Sequence, residues 1–266
     1  MQRDVSARLS LSVTGPATLV FSVVAAAGYV PTARERLTTT LDGVAIDTME
    51  VLDLHGTRLH QLDSATGELV LEYEASIDGR VQPVGSDPAD LIRYVRPSRY
   101  AESDSLVPTA VAEFSGLESR AEQLDAVSSW VGTRLAYVGG SSLPTDGAER
   151  TLLARQGVCR DFAHLCIALL RGLGIPARLV SVYAPGLEPM DFHAVTEAWV
   201  DGAWRVVDAT TLAPRTSLVR IATGRDAADT AFLTVLAGRA ELIEMEVTAI
   251  ADVLPDDDLT TLVSIG

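Results

Sequence analysis

The chemistry open to this chain starts from a cysteine at the beginning of a helix. In Gly157-Val158-Cys159-Arg160-Asp161-Phe162-Ala163-His164-Leu165, a glycine precedes the cysteine and an apolar helical period follows it. At a helix N-terminus the unpaired N–H groups and the macrodipole favour a thiolate, the nucleophilic form of sulfur. Gly157 allows a substrate carbonyl close approach, and the Cys159 amide is a natural donor to an oxyanion. A cysteine in an apolar helix is also an ordinary core residue, so position alone leaves both readings open. Cys166 supplies the contrast. It lies in the stripe of Phe162, Ala163, Ile167 and Leu170, without polar company, and reads as core. Two helical turns separate the two sulfurs by roughly 10 Å, too far for a disulfide.

A nucleophilic sulfur needs a base, and the base needs an orienting partner. Val200-Asp201-Gly202-Ala203 reads as a two-residue hairpin, because Asp-Gly suits a type I′ turn between apolar strands. Val200 then faces Ala203, Val195 faces Asp208, and His193 faces Thr210. Alternation puts His193, Val195 and Asp208 on one face, with His193 and Asp208 as diagonal neighbours. Unrelated strand-end polar residues remain the alternative from the residues alone.

Other polar residues read more simply. His164, five after Cys159 and about 140° around the helix, points away and is expected to be buried and hydrogen-bonded. Tyr137 is read first as a packing residue, with assistance to an oxyanion as the alternative. Asp161, in the first helical turn, favours the dipole. Asp256-Asp257-Asp258 reads as a solvated turn rather than a metal site, and His55 and His60 as exposed strand residues.

The elements that must position these groups fall into two parts. Candidate strands are Arg8–Thr14, Thr18–Ala25, Glu35–Leu41, Met49–His55, Thr57–Leu62 and Glu68–Ile77, separated by Gly, Pro and Asp-Gly turn signals. They predict a small all-β sandwich over residues 1–98. Prolines punctuate Pro83–Pro108, and the boundary falls near residue 100. The remainder, 99–266, predicts helices at Leu117–Leu135, Ala148–Arg155 and from Val158 to the Gly172–Pro176 breakers. Strands are expected at Ala177–Tyr183, His193–Val200 and Ala203–Ala209, with at least one more beyond Leu218 that includes Ala240–Ile250.

With 266 residues and 47% hydrophobic content, the chain can bury a sizeable core. Its 21 basic and 36 acidic residues leave a net charge of −15, which repels phosphate backbones and argues against nucleic-acid partners. The cysteine usage suits a reducing, cytoplasmic setting. The apolar run Ala17–Ala27 behind Arg3 and Arg8 has the look of a signal-peptide core, but Gly15-Pro16 and the strand-like alternation before it favour a strand. No run approaches the ~18 apolar residues of a membrane span.

Four blocks together resemble the transglutaminase-like superfamily: Gly157–Leu165, Arg171–Tyr183, Asp191–Ala198 and Trp204–Thr210, in order. The resemblance covers about residues 100–225. It implies an α+β, papain-like core with the cysteine helix against an antiparallel sheet, preceded by a β-rich domain as in bacterial members. It further implies Cys159 as nucleophile, His193 as base and Asp208 as orienter, acting without a cofactor or metal on a peptide or other amide. Hydrolysis is the favoured outcome, with amine-accepting acyl transfer, calcium-regulated cross-linking and a non-catalytic module as rivals. Val195, Ala209 and Val182 depart from the Trp, Pro and Gly often found at those places, which bears on substrate more than on reaction.

Overall fold

The computed structural model describes residues 1–83 and 85–266; Val84, inside the expected proline-punctuated segment, lies outside the described residues. The first part of the chain forms β1 (Gln2–Val13), β2 (Ala17–Phe21), β3 (Ala33–Leu41), β4 (Val44–Ala45), β5 (Met49–Leu52), β6 (Arg58–Ser64) and β7 (Gly67–Asp78). Next come α1 (Pro88–Arg93), α2 (Ser103–Phe114), α3 (Arg120–Arg134), β8 (Ala136–Tyr137), α4 (Ala148–Ala154), β9 (Gln156–Gly157) and α5 (Cys159–Gly172). The rest comprises β10 (Ala177–Tyr183), β11 (Phe192–Val200), β12 (Ala203–Val207), β13 (Val219–Gly224), β14 (Leu233–Ala237) and β15 (Ala240–Ala251). Among the described residues, no helix is long and apolar enough to cross a membrane.

The sandwich is present, but its strands do not all come from residues 1–98. One sheet runs β15-β1-β7-β3-β4 and the other β14-β2-β6-β5, so two strands return from the far end of the chain. β1 pairs along its length with β7 on one side and β15 on the other, from Arg3↔Ala251 to Val13↔Ala240. The physical reason is edge satisfaction: without β15, a 12-residue strand would leave a row of N–H and C=O groups unpaired. The boundary near residue 100 therefore marks a change of architecture and not a division into two contiguous units.

The third sheet, β12-β11-β10-β13, is antiparallel and carries the site. α5 packs on it through a cluster that joins Phe162, Leu165, Cys166 and Leu169 to Leu179, Ala198 and Val200. The sandwich and this sheet also share apolar contacts, since Tyr183, Val219, Ile221 and Ala222 belong to the core formed by Leu9, Leu11, Leu71 and Tyr73. The Tyr183 hydroxyl donates to the Val23 carbonyl at 2.8 Å across that junction. An interface this apolar holds the two parts as one body.

Both histidines expected on exposed strands are tucked in. His55 sits in a short 3₁₀ turn (φ 59°), its Nε2 2.8 Å from the Tyr94 hydroxyl. His60 is buried on β6 with Nε2 3.3 Å from Glu50. Burial holds both rings below the usual histidine pKa, His55 near 4. Period-two patterning could not show that α1 and β13 would pack against the His55 turn, or that Glu50 of β5 would lie against His60.

One buried ionic group had no sequence expectation. Glu197 on β11 accepts from Arg178 Nε at 2.9 Å and from Arg220 Nη2 at 2.6 Å, while Arg178 lies 3.8 Å from the Trp204 ring centroid. Burial alone would raise the Glu197 pKa; Arg220 and Arg178 overcome it and hold the carboxyl down to about 2.

Candidate active site

α5 starts at Cys159 because its N-terminus is capped from within. The Asp161 carboxylate accepts the Val158 N–H at 2.8 Å and the Ser142 hydroxyl at 2.9 Å. It satisfies an otherwise orphaned donor and places negative charge at the positive end of the helix. Asp161 thus serves the dipole as expected, and it also ties down the loop before α4, which Arg160 holds through Ser142 and the Leu143 carbonyl. A Cβ on Gly157 would lie 2.6 Å from the Asp161 Cβ, so only glycine fits beside the cap.

Tyr137 reaches the same place by a two-residue parallel bridge. Ala136 N–H donates to Arg155 O at 2.9 Å and Val138 N–H to Gly157 O at 3.0 Å, which sets Tyr137 beside Gly157. Its ring lies 5.9 Å from that of Phe162 while the residue stays 47% exposed, so it packs and also presents its phenol to the cleft. Burial and the charge of Cys159 push that phenol up to about 12, with the Cys159 amide acting in the opposite direction.

The hairpin forms in the expected register. Val200 pairs with Ala203 and Thr196 with Val207, around Asp201 and Gly202 at φ 51° and 74°. Asp208 follows directly, and His193 Nε2 donates to its Oδ2 at 2.7 Å. Asp208 Oδ1 accepts from the Thr210 amide at 3.0 Å and hydroxyl at 2.6 Å, which fixes the carboxylate plane. Sequence reasoning missed Thr210, although an Asp followed two residues later by Thr is a recognisable turn signal.

Electrostatics follow from this geometry. Burial alone would make the His193 ring neutral; the Asp208 carboxylate reverses that, and Cys159 adds to it, so the pKa rises to about 10. For Asp208, burial favours protonation and is overcome by His193, with Thr210 adding, so the carboxyl stays below its ordinary value. Nδ1 is left without a hydrogen-bond partner and is the nitrogen available to Cys159. The site therefore brings together a thiol, an imidazole with a free nitrogen, and an orienting carboxylate.

The neighbours stay out of this group. Cys166 is 1% exposed in the core of α5, and burial raises its thiol pKa. His164 is fully buried: its Nε2 accepts from the Ala227 amide at 3.1 Å and its ring stacks on Tyr100 at 5.5 Å. Burial pushes that ring down to about 3, so it is neutral. Asp257, expected in a solvated turn, instead makes a two-pronged pair with Arg215, with Nη2 to Oδ1 at 3.0 Å. That pairing straps the C-terminal segment beside the Asp208 turn, where Arg215 also donates to the Val206 carbonyl.

Two clefts flank this group. One, of about 410 Å³, is lined by Cys159, His193, Arg160, Asp191, Phe192, Phe232, Leu233 and Met245. The other, of about 780 Å³, begins at Tyr137, Phe162 and Asp208 and runs along α3 past Gly132, Ser129 and Asp125 to Thr210 and Thr260. Among the described residues, no group of three His, Cys, Asp or Glu side chains is placed to hold a metal ion.

A helix-borne cysteine, packed by its helix against an antiparallel sheet that carries a bonded His–Asp pair, defines the papain-like thiol architecture. The profile of the transglutaminase-like superfamily core matches residues 108–209. A solved structure from Cytophaga hutchinsonii, described as a candidate cysteine protease, is 32% identical, aligns over 100% of this chain and 93% of that one, and superposes with a TM-score of 0.83. The chain belongs to the transglutaminase-like superfamily. An uncharacterised protein of Mycobacterium leprae is 26% identical over 172 residues, 59% of this chain and 61% of that one. Another, from Mycobacterium tuberculosis, is 36% identical over 102 residues, 36% of this chain and 32% of that one. The chain thus spans under two thirds of the length of these curated relatives.

Proposed function

We propose that the protein is a thiol hydrolase that cleaves an amide, peptide or glutamine-like, through a thioester on Cys159. The observation that carries this reading is the 2.7 Å bond from His193 Nε2 to Asp208, which leaves Nδ1 free for the thiol at the start of α5. The proton of Cys159 stands on Nδ1, in keeping with the raised His193 pKa, and the sulfur attacks the carbonyl carbon. The oxyanion is met by the Cys159 amide, with the Tyr137 phenol beside it. The C–N bond breaks as the nitrogen takes the proton from Nδ1, and the amine leaves. Water then attacks the thioester, gives its proton to Nδ1, and the sulfur departs as the acid forms. Asp208 holds the ring orientation and stabilises the imidazolium throughout.

Water is favoured as the second nucleophile because Ser129, Thr133, Asp125 and Thr210 stand among the apolar residues of the larger cleft at Tyr137 and give water polar partners there. Transfer to an amine requires a site that excludes water. The test supplies peptide or acyl-glutamine substrates together with a millimolar primary-amine probe, and quantifies acid against amide product. Free acid in excess supports hydrolysis. Amide in excess assigns the protein to acyl transfer, and a Cys159→Ala variant with wild-type turnover removes the thiol mechanism altogether.

A further inference from the structure

We infer that the sandwich builds an acyl-side specificity pocket for an apolar side chain, formed by Phe192, Phe232, Leu233 and Met245 against Cys159. The inference rests on the thiol-hydrolase reading and adds to it the chemical class of the acyl donor. Three of these four residues come from the returning segments of the sandwich and not from the transglutaminase-like core. Met245 is on β15, opposite Leu9 of β1; Leu233 begins β14, opposite Phe21 of β2. The Phe232 carbonyl accepts from the Ser22 amide at 3.0 Å, so β2 fixes that residue directly.

The wall is already assembled. Phe192 stacks on Phe232 at 5.5 Å between centroids, and Tyr183 backs Phe192 at 5.5 Å, with Tyr183 itself part of the sandwich core. A side chain entering this cleft orders nothing further and leaves water for a preformed apolar surface, the condition under which burial is converted most fully into affinity. Cys159 lines this cleft and not the larger one, so the side chain next to the carbonyl that the sulfur attacks falls on the sandwich side. The larger cleft, which starts at Tyr137 and Asp208, is left for the leaving half.

The test uses the full chain and chloromethyl ketones whose side chain beside the ketone is Leu, Phe, Ser or Asp, with iodoacetamide as a small control. Alkylation rate at Cys159 is read by mass spectrometry. The Leu and Phe reagents should react about 10- to 100-fold faster than the Ser reagent, the range that one apolar pocket supplies. Phe232→Ala and Met245→Ala, on separate segments, should each cut that ratio severalfold and leave the iodoacetamide rate unchanged. A ratio near one in the wild type, or one unaltered in both variants, overturns the pocket while iodoacetamide still labels Cys159. A Cys159 inert to every reagent overturns the thiol-hydrolase reading itself.

Discussion

Replacing Asp208 by Asn removes one charge from a fully enclosed pair, and the consequence can be worked out from the geometry. His193 loses the carboxylate that raises its pKa from 6.5 to about 10, while the burial that opposes charging remains. The wild-type shift corresponds to roughly 4 to 5 kcal/mol favouring the charged ring, at about 1.36 kcal/mol per pH unit. Breaking a buried pair by removing one partner costs about 3 to 5 kcal/mol. Asn keeps an acceptor for Nε2, so the lower part of that range applies.

The assay is a ring-nitrogen or ring-carbon NMR titration of the histidines. The chain has four, and burial depresses His55, His60 and His164, so a resonance titrating well above 6.5 is assigned to His193 by exclusion. In Asp208→Asn that resonance should move to a pKa below 6.5, and turnover should fall by about 10²- to 10⁴-fold. Stability linkage fixes the pH window. The raised His193 contributes fully below pH 6.5 and loses its contribution as pH rises through about 10. The depressed Asp208 contributes above its ordinary value of 3.8 and loses its contribution as pH falls through its lowered one. The stability gap between wild type and variant should therefore be widest between those ordinary values, at pH 3.8 to 6.5, and close toward strong acid and strong base. A His193 that titrates near 6.5 in the wild type, or identically in the variant, refutes the ion-pair argument.

The two cysteines should separate cleanly: Cys159→Ala abolishes turnover with the fold intact, whereas Cys166→Ala keeps activity and loses ~1 kcal/mol or more through a small cavity. Native iodoacetamide labelling that favours Cys166 would reverse the assignment. Gly132→Ala places a Cβ 2.5 Å from the Ala209 carbonyl, so α3 must push the turn that carries Asp208. Turnover should fall severalfold or more with the melting temperature less affected, and a variant with wild-type turnover would show that the turn yields freely. Glu197→Gln leaves Arg178 and Arg220 buried against a neutral partner, and should cost about 3 kcal/mol or more by denaturant titration. A loss under 1 kcal/mol would mean that water or rearrangement satisfies the arginines.

How much of this was legible in the chain divides along the range of the interactions. Cys159, His193 and Asp208 were locatable because each depends on a short-range rule: a glycine and an apolar period mark the helix start, and Asp201-Gly202 fixes a register in which paired numbers sum to 403. Cys166 and His164 were separable from them by angle around a single helix. The Asp161 cap lay within four residues of the groups it serves, and it too was visible. Local order in the chain thus placed the three candidate groups, their order and the hairpin that brings His193 to Asp208.

Tertiary structure alone decided what surrounds them. Nothing near residue 245 announces a partner near residue 9, yet β15 closes the edge of β1 and so brings Met245 to the thiol cleft. His55 and His60 alternate like exposed strand residues, and only the elements folded over them enclose their side chains and lower their pKa values. Asp257 reads as solvated until Arg215, 42 residues earlier, is found beside it. Pairing of distant edges and burial of charge are settled by which surfaces remain unsatisfied once the local elements exist, and that is a property of the assembled chain and not of any window within it.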